Sequence, residues 1–267
     1  MAVEFQRQTG PNGVTFLVCP ALPVRHGFSL RTGGVSRGEF ASLNLGRSSG
    51  DDLTDVAANR DRWQAALGLT QPVFSLHQVH GAVLHHVDAD TAAQPGEWQG
   101  DALFTRQTGR AIGVFTADCA PLLLASSDGT AVAAVHAGWR GTVAGAAGAT
   151  VAAFEAAGIS PDQLTVAVGP TIGPCCFEVG TEVVETFAAT PWYDPAIVRP
   201  GTRGNPHLDL FTALEGQLRW AGVPADAIHL SRLCTACDAD AFYSWRRDGG
   251  RSGRHLATIV CGARGSA

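Results

Sequence analysis

The feature that most constrains the fold is a pair of apolar, β-rich runs separated by a short polar turn. The runs are PLLLAS and TAVAAVHAG, and Asp128-Gly129 lies between them, where a two-residue type I′ hairpin turn is expected. If the two residues that flank this turn pair with each other, counting back along both strands places Cys119 opposite Gly138. His136 is then the diagonal neighbour of Cys119 on the same face, about 7 to 8 Å away at Cα.

Apolar periodicity and turn residues divide the rest of the chain into further elements. Helices are predicted from near Leu53 and over residues 141–158, 181–189 and 212–221. Strands are predicted over residues 73–87, 111–116, 163–169 and 253–260. Because strands and helices are mixed without strict alternation, we expect an α+β fold with a mixed sheet and helices outside it. No shift in composition divides the chain, so we expect one domain over residues 1–267.

Composition excludes several classes of chemistry. All 19 basic side chains are arginine, and the absence of lysine excludes Schiff-base catalysis and the lysine-dependent phosphate sites of Walker A proteins and protein kinases. The net charge is −5 and no basic run is interleaved with aromatic residues, so we expect no nucleic-acid partner. The sequence shows neither a signal-peptide pattern nor an apolar stretch of about 18 residues, so we expect a cytoplasmic protein without a membrane partner.

One thiol and two imidazoles are the candidate metal ligands. Catalytic zinc sites combine three protein ligands with one open position, and Cys and His are common among those ligands. Cys119 and His136 supply two ligands, and His80 is the third candidate because it precedes Gly81, whereas strand alternation directs His77 to the opposite face. Most free cysteines are small buried hydrophobes and most isolated histidines are core or surface residues, so spacing alone leaves that alternative open.

The remaining cysteines give weaker signals. The chain has seven cysteines and no secretory pattern, which favours reduced thiols over a disulfide framework. The segment from Cys234 to Cys237 resembles half of a zinc knuckle or a redox motif, but no second Cys-x-x-Cys occurs. Cys175 and Cys176 are adjacent, which is too close for easy bridging, so packing is their expected role.

Four polar residues are candidates for binding substrate. Arg140 stands at the expected start of a helix, where backbone amides and the helix dipole attract anions, so it is the first candidate for a phosphate ligand. The others are Arg31 and Asn44, near a glycine-rich turn, and Arg246, which precedes Arg247. A solvated or salt-bridged surface position is the alternative for each arginine.

A series of ordered motifs, from about Gly27 to Val260, resembles the laccase-domain or YfiH-like family. The motifs are FSLRTGGVSRG, SLNLG, HQVHG, GDALFT, TADCAPLLL, VHAGWRG, GPTIGPCCFEVG and FYSWRRDG. The resemblance implies an α/β/β/α layered fold and a catalytic metal site of two histidines and one cysteine. Carried over by motif, these ligands are His80, Cys119 and His136.

The resemblance also implies an activity. Members of this family are described as polyphenol oxidases and as zinc-dependent purine nucleoside phosphorylases, which convert adenosine, inosine or methylthioadenosine and phosphate to the base and ribose 1-phosphate. Adenosine deamination is the implied second activity, and zinc deaminases need a carboxylate for proton transfer. The candidates are Asp101, Asp118 and Glu178. The expected partners are therefore purine nucleosides and phosphate, bound by a monomer or homodimer.

Three alternatives stay open. Copper has high affinity for a His-Cys site, but multicopper oxidases need many His-x-His pairs, and the nine histidines of this chain include none, which disfavours a polyphenol oxidase. Cys119 acting as nucleophile with His136 as base would instead give an amidohydrolase that edits a cell-wall precursor. A metal-stabilised binding protein without turnover is the third alternative.

Overall fold

The computed structural model describes residues 4–89, 91, 97–201 and 204–263. In chain order the strands are β1 (Gln6–Thr9), β2 (Thr15–Val18), β3 (Val24–Ser29), β4 (Leu84–Val87), β5 (Ala102–Thr105), β6 (Ala111–Thr116), β7 (Ala120–Ser126), β8 (Val132–Ala137), β9 (Leu164–Val168), β10 (Val198–Arg199), β11 (His207–Leu208), β12 (Ile228–Leu230) and β13 (His255–Ala263). The α-helices are α1 (Leu53–Ala66), α2 (Trp139–Val143), α3 (Ala146–Ala156), α4 (Thr181–Ala188) and α5 (Leu210–Trp220). Among these helices, none is long and apolar enough to cross a lipid bilayer.

Most of the strands belong to two sheets. The first has five strands in the order β1-β2-β3-β13-β6, and its neighbours are antiparallel. The second has six strands in the order β12-β9-β7-β8-β5-β4, in which the outer pairs β12-β9 and β4-β5 are parallel and the inner pairs antiparallel. The mixed α+β architecture expected from the sequence is confirmed.

The two sheets pack face to face, with helices on both outer faces. Strand β7 shows why its sequence is continuously apolar: Leu123 packs into the core between the sheets, whereas Leu122 packs against the helix layer of α3 and α5. Burial of each of these leucine side chains contributes about 1.5 to 3 kcal/mol to the free energy of unfolding. On the other side, Trp63 of α1 covers the five-stranded sheet and donates a hydrogen bond from Nε1 to Thr258 Oγ1, at 2.9 Å. The layers are therefore α/β/β/α, as the resemblance implied.

The hairpin has the register expected from the sequence, although its turn differs. Ala120 pairs with Ala137 and Pro121 with His136, which extends to the predicted position of Cys119 opposite Gly138. The prediction of a type I′ turn is wrong, because Gly129 has a positive φ of 72° but Asp128 does not. The Asp128 carboxylate instead accepts hydrogen bonds from groups of the turn itself, including the amide of Thr130 at 3.0 Å.

Two other sequence expectations are wrong in detail. Residues 73–83 make isolated bridges rather than a strand, and only the segment from Leu84 onward is β4. In this segment the amides of residues 79–81 bind a carboxylate instead of a neighbouring strand. The helix predicted over residues 141–158 is two helices, α2 and α3, because Gly145 has a φ of 87° and interrupts the chain of helical hydrogen bonds.

Candidate metal centre and adjoining cavity

Three side chains from three separate segments meet at one end of the six-stranded sheet. His136 lies in β8, Cys119 immediately precedes β7, and His80 lies in the loop before β4. One ligand atom from each lies within 4.8 Å of the others, and the two imidazole rings are nearly perpendicular, with centroids 4.8 Å apart. The structure therefore brings the three predicted ligands together in a group that could hold one metal ion.

A single buried carboxylate positions both histidines. Asp101 Oδ1 accepts hydrogen bonds from His136 Nδ1 at 2.8 Å and from the amide of His80 at 2.9 Å, and Oδ2 accepts from the amide of Gly81 at 2.6 Å. When the imidazole of His136 is neutral, donation through Nδ1 leaves a lone pair on Nε2, as a metal ligand requires. His80 has a positive φ of 62°, a backbone conformation that these amide contacts support.

Asp118 fixes the backbone that precedes the thiol. Its φ is 87°, and its carboxylate accepts hydrogen bonds from Thr235 Oγ1 at 2.6 Å and from the amide of Arg246 at 2.7 Å. Its carbonyl accepts two more, from Thr171 Oγ1 at 2.6 Å and from the amide of Ile172 at 2.9 Å. These four bonds hold a strained residue in place, and so they determine the direction of the neighbouring Cys119 side chain.

Gly138 leaves room for the thiol. A Cβ atom added to this glycine would lie 2.7 Å from Cys119 Sγ and 3.5 Å from His80 Cδ2. Both distances involve side chains of the candidate centre, and the first is shorter than contacts that Cβ atoms make in proteins. The glycine opposite Cys119 in the hairpin is therefore a spatial requirement of the centre.

The charges of the centre are mutually stabilising. Burial alone raises the pKa of Cys119, but the charge and hydrogen bonds of His136 and His80 outweigh it and lower that pKa to about 6. Burial likewise opposes protonation of His136, yet the Cys119 thiolate and the Asp101 carboxylate raise its pKa to about 9. Burial also raises the pKa of Asp101, and its hydrogen bonds to His136 and to the amides of residues 80 and 81 hold that pKa below its usual range. Without a metal, the centre is thus a thiolate and imidazolium pair supported by a carboxylate.

The centre opens into a cavity of about 740 Å³. This volume falls within the roughly 300 to 1,000 Å³ typical of small-molecule sites. Aromatic side chains form part of its wall, and these are Phe115, Trp139, Phe177 and Trp245. His77 and Gln78 also line it, so His77 does not point to the opposite face as strand alternation predicted. The error follows from the missing strand, since alternation does not apply to a loop.

Three arginines form one wall of the cavity around the segment 45–47. Arg60 donates from Nε to the carbonyl of Leu45 at 2.9 Å, and the side chain of Arg254 packs against Gly46. Burial and the adjacent charge of Arg47 lower the pKa of Arg60 to about 10. Within the described residues, none of the three arginines forms a salt bridge. We call Arg47, Arg60 and Arg254 the arginine wall, a positively charged surface on which the negative charges of Cys119 and Asp118 act at Arg254 without a direct salt bridge.

The other predicted substrate ligands fall into two groups. Arg140 and Arg246 line the cavity, and each guanidinium lies over an aromatic ring, that of Trp139 at 4.4 Å and that of Phe177 at 5.3 Å respectively. Arg31 and Asn44 do not line it. The Arg31 guanidinium donates to the carbonyls of residues 41 and 239, and the Asn44 side chain bonds with residues 46, 49, 51 and 254. The side chains of Arg31 and Asn44 therefore connect backbone and loop segments outside the cavity lining.

The three carboxylates predicted as proton-transfer groups have different surroundings. Asp101 and Glu178 do not line the cavity, and Glu178 accepts a hydrogen bond from Asn205 Nδ2 at 2.8 Å. Asp118 does line it, but both of its carboxylate oxygens already accept hydrogen bonds. Among the described residues, Asp118 is also the one carboxylate in the cavity lining.

Sequence reasoning missed the arginine wall and most of the aromatic lining. The signals were weak: Arg47 follows the SLNLG motif directly, Arg60 is one of several polar residues on α1, and Arg254 precedes the last strand. Their convergence depends on tertiary contacts between segments far apart in the chain.

Comparison with known proteins identifies the family. Residues 25–262 match the family described as multi-copper polyphenol oxidoreductase laccase. The chain belongs to this family. The resemblance inferred from the sequence motifs is thereby confirmed, over nearly the whole chain.

Relatives in this laccase-like family carry names that refer to purine nucleosides. A protein of Deinococcus radiodurans named purine nucleoside phosphorylase is 42% identical over 248 residues, which cover 92% of this chain and 93% of the relative. A protein from an unknown prokaryotic organism named adenosine deaminase RL5 is 38% identical over 241 residues, 87% of this chain and 92% of the relative. The crystal structure of YlmD from Geobacillus stearothermophilus has a TM-score of 0.87 at 36% identity, covering 98% of this chain and 99% of that one.

The donor set of the laccase-like centre fits zinc. Two imidazole nitrogens, one thiolate and a position open to a cavity form the arrangement of catalytic zinc sites, and a carboxylate that bonds to a ligand histidine is its usual support. Multicopper centres need several groups of histidines. Within the described residues, however, only this group and one group of four cysteines bring at least three potential ligand atoms together. Among the described residues, the several histidine groups of a multicopper cluster are therefore not brought together, whereas the ligands for one metal ion are.

Proposed function

We propose that this protein is a zinc-dependent purine nucleoside phosphorylase that also deaminates adenosine. The observation that carries the proposal is the position of the three-ligand centre, His80, Cys119 and His136, at the edge of a cavity with an arginine wall and aromatic side chains. Phosphorolysis needs a site for an anionic nucleophile beside a site for a flat, apolar base, and this cavity offers both. The names of the relatives support the same substrates.

Phosphate binds to the arginine wall in this proposal. Arginine is the remaining cationic side chain in a chain without lysine, and its guanidinium donates charge-assisted, often bidentate hydrogen bonds to phosphate oxygens. Burial is the main cause of the lowered pKa of Arg60, and the like charge of Arg47 adds to it in the free protein. A bound phosphate would relieve this repulsion, which favours the wall over Arg140, the first candidate from the sequence.

The purine and ribose occupy the rest of the cavity. An arginine guanidinium lies over one face of each of the rings of Trp139, Phe177 and Trp245, so a purine would stack on the opposite face, and such stacking requires no particular base. The leaving base needs a proton or a hydrogen bond, and the carboxylate of Asp118 already accepts two. Both ends of the Gln78 amide already bond with the backbone of Phe115, so we assign the hydrogen bond to the base to His77, which lines the cavity close to His80 in sequence.

His80, Cys119 and His136 would hold the zinc, and Asp101 would keep both histidines in position. The ion, when bound, supplies a Lewis acid for orienting the substrate and lowers the pKa of a bound water for deamination. Phosphorolysis and deamination thus share the centre, but only phosphorolysis needs the arginine wall.

Nucleoside turnover with and without phosphate tests this proposal. Purified protein is incubated with adenosine, and the expected products are adenine and ribose 1-phosphate when phosphate is present and inosine when it is not. We expect Arg60→Gln to raise the KM for phosphate by about 10- to 100-fold, the loss of a charge-assisted hydrogen bond, and to leave deamination unchanged. Arg140→Gln is the matched comparison, because it removes the same charge from another part of the cavity lining.

The possible results are distinct. If Arg140→Gln alone raises the KM for phosphate, the phosphate site is at the start of α2, and if neither variant does, the arginines serve the scaffold. Release of neither adenine nor inosine from adenosine by the metal-loaded protein would refute the proposed function.

One observation favours a second candidate. The lowered pKa of Cys119 and the raised pKa of His136 describe a nucleophilic thiolate beside an imidazolium, as in cysteine amidohydrolases. A zinc-bound sulfur resists alkylation, whereas a free thiolate reacts quickly with iodoacetamide. Rapid modification of Cys119 in the protein as purified, with hydrolysis of a peptide-like cell-wall precursor, would support this candidate over the phosphorylase.

A further inference from the structure

Four cysteines form a second group of potential ligands, outside the cavity. Cys175 and Cys176 lie in the loop that follows β9, and Cys234 and Cys237 lie in the loop that follows β12. Sγ of Cys237 is 3.3 Å from that of Cys175 and 3.4 Å from that of Cys176, and all four sulfur atoms lie within 4.8 Å of one another. None of the four lines the cavity among its described residues.

These distances suit a shared metal ion. Sulfur atoms bonded in a disulfide are about 2.05 Å apart, whereas four sulfur ligands placed tetrahedrally at about 2.3 Å from zinc are about 3.8 Å apart. The two sulfur–sulfur distances of Cys237 are shorter than this tetrahedral spacing, and the limit of 4.8 Å for the whole group is longer. The observed spacing is therefore that of ligands around one metal ion and not that of a disulfide. A tetrahedral set of four sulfur ligands is typical of zinc or of iron–sulfur chemistry.

The backbone around the cysteines is prepared for a thiolate. The amide of Gly173 donates to Cys234 Sγ at 3.2 Å, and the amides of residues 236 and 237 also approach this sulfur. Although burial raises the pKa of Cys234, these hydrogen bonds lower it overall. A Cβ atom on Gly173 would lie 3.3 Å from Cys175 Sγ, so the glycine keeps the space between the two loops open for sulfur.

The opposite loop lacks such support. Burial and contact with the other thiols raise the pKa of Cys175 to about 12 and raise the pKa of Cys176 as well. Metal ligation deprotonates a thiol, so a cation among the four sulfur atoms would be held by thiolates.

We propose that Cys175, Cys176, Cys234 and Cys237 bind one zinc ion as a closed structural site. Four protein ligands fill the tetrahedral coordination of zinc and leave no position for water or substrate, which distinguishes a structural from a catalytic site. One half of the site is a Cys-x-x-Cys segment and the other is an adjacent pair. The sequence pattern of two Cys-x-x-Cys halves is therefore absent although the four ligands are present.

The four-cysteine site would stabilise the candidate centre through the loops that follow β9 and β12. Thr171 and Cys234 form an isolated bridge between them, and Thr171 and Thr235 donate the two hydroxyl hydrogen bonds that hold Asp118. A zinc ion joining the loops would keep these hydroxyls in place. It would therefore support the orientation of Cys119 without touching the substrate.

Metal content and thermal unfolding of the full chain test the proposal. Protein isolated without chelators should contain about two zinc ions, and both Cys119→Ala and the double variant Cys234→Ser/Cys237→Ser should contain about one. The double variant should also lose at least about 5 °C in Tm, because a ligand that binds only the folded state stabilises it. Cys261→Ala is the matched control, since it removes a buried thiol elsewhere and should keep both ions.

Measurements on the unaltered protein decide the question even if the double variant folds poorly. Denatured without reductant, the protein should show all seven thiols, whereas disulfides within the group would remove two or four of them and overturn the proposal. A Cys119→Ala protein without zinc, or with iron in place of zinc, would also overturn it. If the unaltered protein holds one zinc ion that only the double variant loses, the structural site is supported and the catalytic zinc fails.

Discussion

The candidate centre and the four-cysteine group are joined by the same two loops but differ in what their ligands leave open. His80, Cys119 and His136 offer three ligand atoms beside a cavity of about 740 Å³. The four cysteines offer four sulfur atoms, and none of them lines that cavity among its described residues. A fourth position is thus free for substrate or water in the first group and filled by the protein in the second.

The groups that hydrogen-bond to the ligands also differ between the candidate centre and the four-cysteine group. In the candidate centre a buried carboxylate orients both histidines, which raises the basicity of a ligand and fixes its direction for chemistry. In the four-cysteine group the support comes from backbone amides that bond to one sulfur, and no carboxylate is among its hydrogen-bond partners in the described chain. The comparison teaches that one group is arranged for reactivity and the other for holding two loops together.

The largest expected effect is a separation of activity from stability. Cys119→Ala and His136→Ala should each reduce turnover of nucleosides to background while the native fold is kept, because a catalytic site on a large core is rarely needed for folding. The double variant Cys234→Ser/Cys237→Ser should have a lower Tm and, well below that Tm, a much smaller loss of turnover than either variant of the candidate centre. Circular dichroism melts and activity assays measure both effects. Loss of the native fold in both Cys119→Ala and His136→Ala would make the two sites equivalent in role and would break the comparison.

The second effect concerns the space for the thiol. In Gly138→Ala the new Cβ would lie 2.7 Å from Cys119 Sγ, so the sulfur must move and the metal geometry must change. We expect at least about a tenfold loss in zinc affinity and in turnover, comparable with the removal of a residue that orients a ligand. Gly148→Ala is the matched control, because its Cβ would meet nothing within 4 Å and an alanine is favoured inside a helix. Equal zinc affinity in the two variants would contradict the crowding argument.

The hairpin shows what the sequence could predict about this site. Strand pairing follows from counting residues along the hairpin, so the sequence alone predicts that Cys119 lies opposite Gly138 and close to His136, as the observed register confirms. Strand alternation and the glycine that follows favour His80 over His77 as the third ligand, yet this segment forms no strand. Its ring reaches the centre because the carboxylate of Asp101, supplied by a distant segment, holds the amides around it. A contact between distant segments leaves no periodic pattern in the sequence from which it could be predicted.

The two missed groups were hidden for a related reason. Each half of the four-cysteine group was visible in the sequence, but packing was the role expected for Cys175 and Cys176, and only the bridge between two loops brings them to Cys237. The arginine wall likewise depends on α1 and the start of β13 approaching the segment 45–47 from two sides. The sequence does not determine where a long arginine side chain points, because its direction depends on how the layers pack.

The third effect tests the carboxylate that distinguishes the two groups. Asp101→Asn keeps the size of the side chain but replaces one acceptor oxygen with a donor, although His136 and the amides near His80 all require acceptors. We expect a loss of about 10- to 100-fold in zinc affinity of the candidate centre or in turnover, with the second zinc ion retained. Metal analysis and steady-state kinetics measure these quantities. Glu178→Gln is the comparison, and a larger loss of turnover in that variant would identify Glu178, rather than Asp101, as the important carboxylate.

The smallest effect is on acid stability, and it separates metal loss from protonation of the core. His255 is buried, its Nε2 accepts the amide of Tyr243 at 2.8 Å, and burial together with the nearby charges of Arg31 and Arg247 lowers its pKa to about 3. Between pH 6.5 and that value the unfolded chain binds a proton that the folded chain does not, so the free energy of unfolding must fall as the pH falls. The contribution is about 1.4 kcal/mol per pH unit across this window, or roughly 3 kcal/mol at pH 4.5.

The variant His255→Gln isolates that contribution, because a glutamine oxygen can accept the same amide without titrating. Its Tm should fall less than that of the unaltered protein between pH 7 and pH 4.5, by roughly 5 to 10 °C. The difference should persist after a chelator has removed metal from both proteins, since His255 belongs to neither group of ligands. If instead the difference disappears with the metal, acid sensitivity arises from ligand protonation, and the depressed pKa of His255 does not govern it. The pH at which each site releases zinc can be compared only after the loss of stability caused by protonation of His255 has been measured.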